Sequence, residues 1–175
     1  MIDTVHILIQ AGSGGNGSTS FVPRNDRKTV PSGGEGGLGG SVIIRVSENP
    51  PPLDSLKYKQ HLIAPAGGNG GTNHKRGKNG EDLVLLVPEG TRLFDRARGL
   101  VLREYMKKGE EILLLEGGRG GKGNTFEHES TDGQKGVEID LEISIRILAD
   151  IYFVGLPNAG KSLLLNKLTR ANALS

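Results

Sequence analysis

Glycine placement constrains this chain more than any other feature. The sequence holds 28 glycines in 175 residues, and most of them gather in three blocks. The first spans residues 12–40 and includes the run Gly33-Gly34-Glu35-Gly36-Gly37-Leu38-Gly39-Gly40. The second spans residues 67–80, and the third is Gly117-Gly118-Arg119-Gly120-Gly121-Lys122-Gly123. Helices and ordinary strands exclude such runs, because glycine has no side chain to pack and loses the most backbone freedom on ordering. The blocks lack collagen's strict glycine at every third residue. Their G-G-x-G-G steps still suit extended, left-handed polyproline-type segments packed closely side by side. Flexible loops are the competing reading, and composition alone does not choose between the two.

The residues between the blocks favour order. Runs rich in Val, Ile and Leu at 5–9, 42–46, 83–87, 100–102 and 112–115 read as short strands, so each block is tethered at its ends. Pro88-Glu89-Gly90-Thr91 and Lys107-Lys108-Gly109-Glu110 are turn signals. Residues 53–63 fit a short helix followed by a strand. The clearest strand is 137–147, where Val137, Ile139, Leu141, Ile143, Ile145 and Ile147 alternate with polar residues. Period two puts one face in the core and one in water. Strand after strand with turns between them points to a sandwich or barrel.

From Leu148 the pattern changes. Residues 151–154 are continuously apolar, as a strand covered on both faces would be. They lead into Gly155-Leu156-Pro157-Asn158-Ala159-Gly160-Lys161-Ser162, which reads G-x-x-x-x-G-K-S, and a leucine-rich run follows. Strand, loop and helix together are the context a phosphate-binding P-loop needs. Its glycines let backbone N–H groups turn inward on a phosphate, and the helix adds the positive end of its dipole. Lys161 is placed to reach the β- and γ-phosphates, and the Ser162 hydroxyl to hold Mg²⁺. The domain boundary is expected near 148, giving units 1–148 and 149–175.

Composition sets outer bounds. Cysteine is absent, which excludes disulfides and thiolate chemistry and agrees with a reducing, intracellular setting. No signal peptide and no membrane-length apolar run are evident. Net charge is +2 with a pI near 8.9, too mild to indicate nucleic acid by itself. Aromatics make up 4% and tryptophan is absent, which argues against base-stacking platforms.

Taken in order, these features resemble the Obg family of bacterial and organellar GTPases. The residues that carry the resemblance are 12–17, 31–40 and 117–124, then Leu148-Ala149-Asp150 leading into the loop at 155–162. It implies a mainly β domain with glycine-rich polyproline II helices projecting from a β-barrel-like base, the Obg fold. The first strand, P-loop and helix of a truncated α/β Ras-like GTPase domain would follow. It also implies a cytoplasmic or organellar, monomeric protein that binds GTP and GDP with Mg²⁺. Such a protein would associate with the large ribosomal subunit, contact its ribosomal RNA through the glycine-rich loops, and act in subunit assembly. The sequence departs from the family pattern at Leu163, at Ile151-Tyr152-Phe153 and in a shortened 125–136. The switch threonine, D-x-x-G and N-K-x-D expected beyond the first helix are absent, so this chain alone is expected to bind nucleotide weakly or not at all.

Basic residues recur in the glycine blocks: Arg24, Arg27 and Lys28, then Lys75, Arg76 and Lys78, then Arg119 and Lys122. Composition reads them as a solvated surface, whereas the resemblance makes them candidates to neutralise RNA phosphates. His6, His61, His74 and His128 show no metal-ligand spacing. Glu127, His128, Glu129 and Asp132 read as a polar loop, and no catalytic residue is identifiable. Two functions of different class follow. One is a ribosome-associated GTPase; the other is a non-enzymatic RNA- or protein-binding module with an inactive P-loop segment.

Overall fold

The computed structural model describes residues 4–24, 28–51, 56, 61–104, 106–145, 154–156 and 160–168. The described strands are β1 (Thr4–Gln10), β2 (Phe21–Pro23), β3 (Thr29–Pro31), β4 (Val42–Val46), β5 (His61–Ile63), β6 (Leu83–Val87), β7 (Thr91–Asp95), β8 (Leu100–Arg103), β9 (Glu111–Leu115) and β10 (Glu138–Ile145). One helix, α1 (Lys161–Leu168), follows them. The strands form a five-stranded sheet of order β5-β1-β10-β7-β8, a three-stranded sheet β6-β4-β9 and the hairpin β2-β3.

Alternation builds the core. In the antiparallel β1–β10 pair, Val5 faces Ile143, Ile7 faces Leu141 and Ile9 faces Ile139, so one odd-numbered series shares one face. Val42, Ile44 and Val46 of β4, Leu85 and Val87 of β6, and Leu93 of β7 join the same buried cluster. The two larger sheets therefore close on one core, the barrel-like base that the sequence implies. The periodicity of 137–147 holds across β10, although Val137 precedes the strand and is exposed.

The strand β7 and the hairpin β2-β3 depart from the sequence reading. The strand β7 was not expected, because two of its three inward residues are polar, Thr91 and Asp95. Both find partners: Thr91 Oγ1 donates to Pro88 O at 2.7 Å, and Asp95 Oδ1 accepts from Arg98 N at 3.0 Å. The run 100–102 does form a strand, but β8 is an edge strand exposed along its length. The hairpin β2-β3 interrupts the first glycine block.

The glycine blocks are ordered, in six extended segments arranged as three out-and-back excursions. Segment s1 (12–18) leaves β1, and s2 (33–41) returns into β4. Segment s3 (65–71) leaves β5, and s4 (75–82) returns into β6. Segment s5 (117–124) leaves β9, and s6 (131–137) returns into β10. Backbone hydrogen bonds recur every three residues, as a threefold polyproline-type helix requires. Gly12, Gly15 and Ser18 of s1 donate to Gly40, Gly37 and Gly34 of s2. Gly34, Gly37 and Gly40 donate on to s3, and Gly67 and Gly70 of s3 donate back to s1, closing a triangle of segments. A second triangle runs from s1 to s2 to s5 and back, through Gly36, Gly39, Gly118 and Gly121. Segments s4 and s6 each complete one further triangle at the flanks.

This arrangement explains the G-G-x pattern. The inner segments s1, s2 and s5 carry two rows of glycines that abut neighbouring backbone, whereas in s3 only the Gly67 and Gly70 row is closed to a side chain. A Cβ on Gly36 would fall 1.9 Å from Gly15 O, and one on Gly37 would fall 2.0 Å from Lys78 O. The outer segments s4 and s6 need glycine in only one row, Gly77 and Gly80 or Gly133 and Gly136. With a single glycine row, s6 lacks the paired glycines that mark the third block in sequence. Residues in the third row satisfy leftover N–H groups: Asn16 Oδ1 accepts from Gly133 N at 2.9 Å, and Asn79 Oδ1 from Leu38 N at 3.0 Å.

Candidate functional site

The first candidate site is the phosphate loop. Of its eight residues, Gly155, Leu156, Gly160, Lys161 and Ser162 are described; Pro157, Asn158 and Ala159, with the boundary region 146–153, lie outside the described residues. Gly160 has φ +76°, a conformation side chains rarely adopt, and a Cβ there would meet nothing within 4 Å. The glycine is thus needed for backbone shape, and the space over it stays open. Helix α1 begins at the next residue, with Leu164 N donating to Gly160 O. Lys161 folds back over the loop, its Nζ donating to Gly155 O at 2.9 Å and Leu156 O at 2.6 Å. A cavity of about 510 Å³ opens here, lined by Val154, Gly155, Gly160, Lys161, Leu163, Leu164 and Lys167. Open backbone at a helix start, a lysine over the loop and a serine hydroxyl in the first turn fit a nucleotide polyphosphate and its Mg²⁺. The apolar side chains around it are bare: Val154 is 95% and Leu156 80% exposed.

The second candidate site is the end of the glycine bundle away from the sheets, together with one flank that reaches back towards β4 and β9. Arg24 and Lys28 flank the β2-β3 turn, where Arg24 N donates to Lys28 O at 2.7 Å; Arg27 lies outside the described residues. Lys75, Arg76 and Lys78 start s4, just after a turn in which Asn73 and His74 both have positive φ. Arg76 and Lys122 line one cleft of about 470 Å³ with Gly33, Gly34, His74 and His128. Arg76 and Arg119 line a second cleft of about 410 Å³. The structure therefore gathers Arg76, Arg119 and Lys122 around adjoining clefts, with Glu35 lining both.

Charge pairing divides the molecule. Among the described residues, the ion pairs all lie on the sheets and their loops. They include Arg45–Glu111 at 2.6 Å, Arg96–Asp140 at 3.1 Å and Arg103–Glu110 at 3.2 Å. The Glu111 hydrogen bond and charge raise the Arg45 pKa above its ordinary value. None of Lys75, Arg76, Lys78, Arg119 and Lys122 is within ion-pair distance of a described carboxylate, and all five are exposed.

The same end exposes two aromatics that the sequence reading passed over. Phe126 is 79% and Phe21 59% exposed. Scarcity of aromatics had argued against stacking surfaces. The overlooked signal was position: Phe126 sits in a polar turn next to the third glycine block, where no core can claim it.

A G-x-x-x-x-G-K-S sequence following a glycine bundle on a β base defines a class, the glycine-rich proteins that carry a P-loop motif. The family model described as GTP1/OBG matches residues 2–146, and one described as 50S ribosome-binding GTPase matches residues 150–175. The chain belongs to the GTP1/OBG family. It is 40% identical to a GTPase Obg of Aquifex aeolicus over 97% of its own length and 52% of that protein's. It is 39% identical to the GTPase Obg of Persephonella marina, covering 97% and 53%. Identity to that of Clostridium beijerinckii is 38%, covering 97% and 42%. The chain thus spans about half the length of the curated relatives it matches. Among the described residues no helix is long and apolar enough to cross a membrane.

Proposed function

We propose that this chain supplies the glycine-rich domain, 1–148, and the phosphate-binding segment, 149–175, of a cytoplasmic, monomeric GTPase. That GTPase associates with the large ribosomal subunit and acts in its assembly. The observation that carries the reading is Lys161 held over the loop at the head of α1, in a chain whose relatives are named GTPase Obg. In this reading the loop at 155–162 cradles GTP or GDP, Lys161 binds the β- and γ-phosphates, and Ser162 holds Mg²⁺. The bound Mg²⁺ would neutralise charge developing on the transferred phosphoryl group. Arg24, Arg27, Lys28, Lys75, Arg76, Lys78, Arg119 and Lys122 form the RNA-contact set. The description of the second matched family, which names a 50S ribosome-binding GTPase, supports the ribosomal partner.

The 175-residue chain by itself binds nucleotide weakly or not at all. A loop and one helix cannot bury their own apolar side chains, and the exposure of Val154, Leu156, Leu163 and Leu164 supports this. Titration of the chain with a fluorescent GTP analogue and Mg²⁺ should give no saturation in the micromolar range, and tight binding would reject the claim. Co-sedimentation of the complete protein with large subunits should require GTP or a non-hydrolysable analogue over GDP and ATP. Equal pelleting in every nucleotide state, matched by this chain alone, would favour the autonomous docking module instead.

A further inference from the structure

The turn between s5 and s6 presents an aromatic ring beside a cationic cleft. Thr125 closes that turn without help from Phe126. Its N–H donates to His128 O at 2.9 Å, and its Oγ1 accepts from Glu127 N and His128 N at 3.2 Å each. Its Oγ1 also lies 2.5 Å from His128 Nδ1. The ring is therefore held out by a turn that satisfies its own polar groups, at 79% exposure. Thr125 and His128, on either side of Phe126, line the 470 Å³ cleft that also holds Arg76 and Lys122. Part of the cleft wall is Gly33, Gly34 and Gly123, where no side chain keeps a ligand from the backbone. Glu35 on the same wall makes the charge mixed, which suits one phosphate rather than an extended polyanion.

Cations in a cleft and an aromatic ring next in sequence to one of its lining residues are the two parts that grip an unpaired nucleotide. A base in a duplex has both faces stacked and offers neither to a ring. We propose that this end of the bundle is a single-stranded nucleotide site, with a backbone phosphate on Arg76 and Lys122 and the adjoining base stacked on Phe126. The proposal rests on the RNA-contact reading above and narrows it to unpaired RNA at one position.

The chain contains no tryptophan, so Phe126→Trp installs a single fluorescent reporter at the site. Binding of this chain to a labelled single-stranded oligoribonucleotide, and to the duplex of the same sequence, is followed by anisotropy. The single strand should bind more tightly than the duplex. Phe126→Leu should weaken the single strand by roughly tenfold, the scale of one lost stacking contact, and leave the duplex unchanged. Phe126→Trp should keep the affinity, and its fluorescence should fall as the single strand binds. Equal binding of both RNAs, a neutral Phe126→Leu, or an unquenched Phe126→Trp would overturn the nucleotide site. If Arg76→Gln with Lys122→Gln still weakened binding in that case, the broader RNA-contact reading would stand. No binding of either RNA would overturn both.

Discussion

At the scale of single residues, the bundle divides its positions into those that touch backbone and those that touch water. Gly36 and Glu35 are neighbours with opposite obligations. A methyl group on Gly36 would collide with Gly15 O, which belongs to a hydrogen-bonded backbone and cannot step aside. Gly36→Ala should cost about 3 kcal/mol or more, as overpacking of a rigid site does. For a chain of this size that lowers the melting temperature by roughly 10 °C. Glu35→Ala, on the exposed row, should stay within about 0.5 kcal/mol of the parent. Thermal unfolding followed by circular dichroism compares the two, and equal melting temperatures would refute the row assignment. The sequence showed that glycines come in pairs but not why. The pairing of rows depends on which segments are neighbours, and that is a property of three dimensions.

Among the elements, legibility followed the side chains that face inward. The strands β1, β4, β6, β9 and β10 were readable because their apolar residues mark a face or a run. The strand β7 was not, because Thr91 and Asp95 occupy inward positions that patterning reserves for apolar residues. Asp95 is 1% exposed, and its carboxylate closes the turn that follows by accepting from Arg98 N. Asp95→Ala should therefore remove that turn-closing hydrogen bond and cost about 0.5–1.5 kcal/mol. Equilibrium urea unfolding measures the difference, and an unchanged midpoint would show the turn to be self-sufficient. The motif at 155–162 stands out in the sequence because it is written in local spacing. The clefts do not, since Arg76, Arg119 and Lys122 come from separate excursions.

For the whole molecule, the described residues divide into paired charges on the sheets and cations without a carboxylate partner on the bundle, and the proposed RNA contact falls on the second group. Reversing Lys75, Arg76 and Lys78 to Glu should weaken association with large subunits. It should also flatten the salt dependence, each lost phosphate contact removing a little under one unit of log–log slope. Unchanged pelleting would reject the assignment of this face. The interlocked triangles carry a further consequence, for growth of the projecting arm. One residue inserted into s1 would rotate its rows by a third of a turn and drive Ser13 and Asn16 into the glycine rows. Only whole repeats are tolerated, and the abutting segments must lengthen together. Reach is therefore quantised in increments of roughly 9 Å. The capping turns, such as the one bearing Phe126, can vary one residue at a time. An arm of this kind keeps a fixed gauge while its tip is free to diversify.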